Sequence, residues 1–80
     1  MNNISERKKE VLRKYALFKD LMAEKGCTVS DVCQNTGVDH STLSHWKAGD
    51  YTPGTQKMIA ICEYFEVPIK YFYEDISKLK

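Results

Sequence analysis

Thr28-Val29-Ser30-Asp31-Val32-Cys33-Gln34-Asn35-Thr36-Gly37-Val38-Asp39-His40-Ser41-Thr42-Leu43-Ser44-His45-Trp46-Lys47-Ala48-Gly49 is the stretch that decides the fold. Thr28 is a helix N-cap, and Val29, Val32 and Cys33 give the short helix behind it a small apolar face. Thr36-Gly37 ends that helix, and Asp39 caps the next, on which Leu43 and Trp46 form the buried stripe. Helices this short cannot each bury both sides. Val32, Cys33, Val38, Leu43 and Trp46 all seek the interior, so the two helices pack at a steep angle across the turn. Gly37 supplies the left-handed backbone that such a turn needs.

The chain on either side is also helical. Upstream, Val11, Leu12, Tyr15, Phe18, Leu21 and Met22 recur at steps of three and four, which predicts a long amphipathic first helix. Asn3 or Ser5 caps it, and Gly26 stops it after Lys25. Downstream, Gly49-Asp50-Tyr51-Thr52-Pro53-Gly54 is a turn cluster. Thr55 is expected to cap a fourth helix with Met58, Ile59, Ile61, Cys62 and Phe65 as its apolar set. Val67-Pro68 breaks it, and Pro68 opens a last helix carrying Ile69, Phe72 and Tyr73. No stretch alternates with period two. The expected architecture is all-α, a compact five-helix domain with its central helix pair at about 28–47.

Eighty residues make one domain with a thin core and little room for a catalytic cleft. We divide the chain into a basic extension or arm at 1–14, the domain proper at 15–75 and a tail at 76–80. Twelve Lys and Arg against eleven Asp and Glu give a net charge of +1, so no strong global field marks a partner. The charge is nonetheless uneven: residues 1–25 carry seven basic and four acidic side chains. That block reads either as a solvated helix face or as an arm for phosphate. No apolar run spans a membrane and the N-terminus is not a secretory signal, so a cytoplasmic protein is expected. Cys27, Cys33 and Cys62 show no metal spacing and fit a reducing compartment without disulfides. Cys33 and Cys62 read as core thiols. No metal or cofactor is expected.

One surface stands out. On the third helix, His40, Ser41, Ser44, His45 and Ala48 lie away from Leu43 and Trp46, and the pairs His40/Ser44 and Ser41/His45 are four apart. A solvated helix face is usually richer in Glu and Lys. Short hydrogen-bonding groups suit close approach to base edges in a major groove, where long charged groups would be desolvated. The Ser/His pairs do not make a nucleophile and base, since an exposed short helix offers no third orienting group and no oxyanion cradle. No enzyme activity is expected.

Gly26–Cys33, Gly37-Val38-Asp39, Ser41-Thr42-Leu43-Ser44-His45-Trp46-Lys47-Ala48-Gly49 and Pro53 resemble the lambda-repressor-like helix-turn-helix of the XRE or Cro/repressor type. Lys57–Ile69 is similar to that family's fourth helix and the turn after it. The resemblance covers about Tyr15 to Tyr73 and is strongest to small regulators and prophage repressors of Gram-positive bacteria. It implies a transcriptional regulator, most often a repressor, that binds double-stranded DNA as a homodimer on a palindromic operator. It makes 39–47 the recognition helix and His40, Ser41, Ser44 and His45 the base readers. A neutral His can donate to guanine N7 or O6. Thr42, the backbone N–H groups at Thr28 and Val29, Lys47 and Lys57 are then the expected phosphate contacts. The C-terminal aromatics Tyr71, Phe72 and Tyr73 are the expected dimer surface. No membrane and no small-molecule substrate is implied.

The chain also departs from the family. Many members have Gln where this chain has Val29, Arg at Met22 and Glu at Lys47. The backbone clamp from Gln and the Arg/Glu brace are therefore missing. Those departures and the modest charge keep open an alternative: a protein-interaction module on the same fold, antitoxin-like or anti-repressor, with little specific DNA binding.

Overall fold

The computed structural model describes residues 6–73. Four α-helices run α1 Glu6–Lys25, α2 Val29–Thr36, α3 His40–Ala48 and α4 Thr55–Phe65, followed by a 3-10 turn at Ile69–Tyr71. The described residues contain no strand. The expected fifth helix is here a single 3-10 turn. Tyr71, Phe72 and Tyr73 donate their N–H groups three residues back, to Pro68, Ile69 and Lys70. That tighter winding rolls Phe72 into the core, 5.9 Å from the Trp46 ring, where it is 3% exposed.

Trp46 organises the interior. Its ring stacks on Phe18 at 4.9 Å and meets Tyr15 edge-on at 5.5 Å. Its indole N–H donates to the Val11 carbonyl at 3.1 Å, which ties α3 to α1. Val11, Leu21, Val32, Val38, Leu43, Met58, Ile61 and Cys62 complete the buried set. Cys33 is only half-buried and packs against it. Ile59 and Ile69, both expected on apolar faces, are exposed instead. α4 turns Met58, Ile61 and Cys62 inward, and one helix cannot bury Ile59 on the same side.

Residues 6–14 continue α1 without a break. Val11, Lys14 and Tyr15 are buried, so this basic segment is part of the domain body. Residues 1–5 and 74–80, including the tail at 76–80 and the expected caps Asn3 and Ser5, lie outside the described residues.

Candidate nucleic-acid interface

The helix pair α2–α3 is built by local rules. Thr28 Oγ1 accepts from the Asp31 N–H at 3.2 Å, and Asp31 Oδ2 accepts from the Thr28 N–H at 2.9 Å, a closed capping box. Gly37 ends α2 at φ 80°, its N–H donating to the Cys33 carbonyl. Asp39 then occupies the N-cap of α3 but makes no side-chain cap bond. Its carboxylate instead accepts from the Thr42 hydroxyl at 2.7 Å. That bond, with a backbone bond second, holds the Asp39 carboxyl below the ordinary carboxylate range. Gly54, not Thr55, stands at the N-cap of α4.

With Thr42, Leu43 and Trp46 buried, α3 shows the opposite face to solvent. His40, Ser41, Ser44, His45 and Lys47 are all exposed on it. The expected base readers thus share one open helical surface. Thr42 does not join them: it is 5% exposed, and its hydroxyl also receives the Lys57 ammonium at 3.4 Å. Lys57, exposed at the start of α4, is thereby brought beside the N-terminus of α3. At α2, the capping box occupies both the Thr28 hydroxyl and its N–H, and Asp31 already supplies negative charge to that helix end. Val29 has no polar side chain to offer and packs half-buried against the core.

The C-terminal end of α3 holds residues that the sequence reading placed only in a turn. His45 Nδ1 lies 2.7 Å from Asp50 Oδ2, and the imidazole stacks on Tyr51 at 5.2 Å and 21°. Gly49 makes this return possible: it sits at φ 86°, and a Cβ there would come within 2.8 Å of Lys8 Cε. The basic N-terminal part of α1 therefore lies against the end of α3. Its early periodicity from Val11 was the signal for that contact, and no sequence rule pointed to Asp50 or Tyr51.

The aromatic end is split. Phe72 is core and cannot meet a partner, which corrects its assignment to the dimer surface. Tyr71 and Tyr73 are half-buried, and burial pushes both phenols above their ordinary range. The Lys14 ammonium lies 5.1 Å from the Tyr73 ring centre. Among the described residues, no group of His, Cys, Asp and Glu is placed to hold a metal ion. Nor is any helix there long and apolar enough to cross a membrane.

A helix-turn-helix family model matches residues 18–72, more than half of the chain, and takes in α2, the turn and α3 entire. This chain belongs to the XRE-type, lambda-repressor-like helix-turn-helix family. It is a DNA-binding regulator of that family, whose members are generally not enzymes. No curated protein and no solved structure matches this helix-turn-helix regulator.

Proposed function

We propose that this helix-turn-helix regulator is a sequence-specific repressor that binds a palindromic operator as a homodimer, with α3 in the major groove. The observation that carries the reading is the open face of α3. His40, Ser41, Ser44 and His45 are all exposed there, while Leu43 and Trp46 anchor the opposite side. Short donors and acceptors on a rigidly anchored helix can approach base edges closely. Lys47 and Lys57 flank that face and supply phosphate contacts, with the Val29 N–H at the first turn of α2 as a further donor. Thr42 serves phosphate binding through Lys57, whose ammonium it holds, since its own hydroxyl is already engaged by Asp39 and Lys57. So few cations per subunit give weak binding to one half-site, and two subunits place half-sites about 34 Å apart. Tyr71 and Tyr73, together with the exposed Ile69, are the dimer surface in this reading. A helix-turn-helix domain seated on its operator represses by excluding other proteins from that site.

The test is selection from a random duplex pool, run on the wild type and on the His40→Ala/His45→Ala variant. Enrichment of a palindrome by the wild type, lost in the variant while salt-sensitive non-specific binding persists, is the expected result. If the wild type enriches nothing, or both proteins enrich the same sites, α3 does not read bases. The protein-interaction role then takes its place.

A further inference from the structure

We infer that Asp50 is a positioning residue that makes His45 a hydrogen-bond acceptor toward the bases, selecting adenine or cytosine over guanine or thymine on the strand it faces. The inference rests on the DNA-reading role proposed for α3.

Asp50 is tied to His45 twice. Its backbone N–H donates to the His45 carbonyl at 2.9 Å, and its Oδ2 lies 2.7 Å from His45 Nδ1. An ionised carboxylate only accepts, so Nδ1 must carry the hydrogen. In the neutral ring this leaves Nε2 as a bare lone pair. Tyr51 covers one face of the ring, stacked at 5.2 Å and 21°, which fixes the ring plane. His45 is about half exposed, so its remaining nitrogen is open to a ligand.

In the major groove a lone-pair acceptor meets the N4 amino group of cytosine or the N6 amino group of adenine. Guanine N7 and O6 are themselves acceptors and offer it nothing. The turn therefore reverses the simplest expectation for a reading histidine, which is donation to guanine. Asp50 also sets a negative charge at the edge of a surface that approaches phosphate. A carboxylate with no role in reading would only weaken binding, and by the same factor on every sequence.

The experiment compares wild type, His45→Ala and Asp50→Asn. Base preference is read position by position from selected duplexes. The His45 ring tautomer is read by 15N–1H correlation NMR on the free protein at about pH 8, where an imidazole is ordinarily neutral. An Asn amide at position 50 can turn its NH2 toward Nδ1 and move the ring hydrogen to Nε2. The expected result is a single Nδ1–H tautomer in the wild type and a mixed or Nε2–H ring in Asp50→Asn. At one base pair per half-site, His45→Ala loses about tenfold in preference for cytosine or adenine. Asp50→Asn relaxes that same position or turns it toward guanine, leaving the other positions unchanged.

The inference is overturned if Asp50→Asn keeps every base preference and only binds all sequences more tightly. An Nε2–H ring in the wild type overturns it equally. If the wild type selects no sequence at all, the DNA-reading role fails and base selection by His45 fails with it. The tautomer measurement then still shows, separately, whether Asp50 holds the ring.

Discussion

Gly49 decides more than a helix end. Its left-handed backbone, φ 86°, lets α3 stop and brings Asp50 back to His45, while its missing Cβ admits Lys8 and Leu12 of α1. Gly49→Ala is expected to cost about 1–2 kcal/mol from the backbone alone. Displacement of the Lys8 chain adds to this, and a urea titration measures the total. Thr42 works by its hydroxyl in the same economical way. It keeps the Asp39 carboxyl below its ordinary range, with the Asp39 backbone bond and the charge of Lys57 acting in the same direction. A depressed carboxyl stabilises the fold fully above its unfolded value, and that contribution disappears as pH falls through the lower folded value. Thr42→Val is expected to move the Asp39 titration up toward the ordinary range, as followed by carboxyl 13C shifts. An unmoved titration would mean that the hydroxyl does not hold Asp39.

At the scale of elements, α2 is short and depends on its start. The Thr28/Asp31 box closes both ends of the first turn. Thr28→Ala should therefore cost about 1 kcal/mol, measured as a lowered thermal midpoint. Such local devices are legible in the sequence. Thr28, Gly26, Gly37 and Gly49 announced the ends of helices, and the spacing of Leu43 and Trp46 announced which side of α3 is buried. The exposed face of α3 follows from that spacing, because exposure on a helix is the complement of burial. What could not be read depended on contacts between distant parts of the chain. Phe72 and its aromatic neighbours have the same local character, and only docking against Trp46 separates one core ring from two half-exposed ones. Ile59 fits an apolar pattern but lies beyond the width that α4 can bury. The Asp50–His45 pairing spans a left-handed turn, and helical periodicity carries no information past such a turn.

At the scale of the whole molecule, the exposed Lys47 and Lys57 are, in the proposed role, what makes binding respond to salt. Each phosphate neutralised contributes close to one unit to the slope of log K against log salt. Lys57→Ala should reduce that slope by about 1 per subunit without changing which sequences are preferred. A slope left unchanged would place Lys57 off the phosphate path. The basic first half of α1 is held to the body through Val11, whose carbonyl receives the indole N–H of Trp46. That indole belongs to the chain's single tryptophan, which is fully buried between α1 and α3. The molecule thus carries an optical reporter at the joint between α3 and α1. Emission from the native protein is expected at the short-wavelength end of the tryptophan range. A red shift on heating or dilution would record the exposure of this indole to water, without any label being attached.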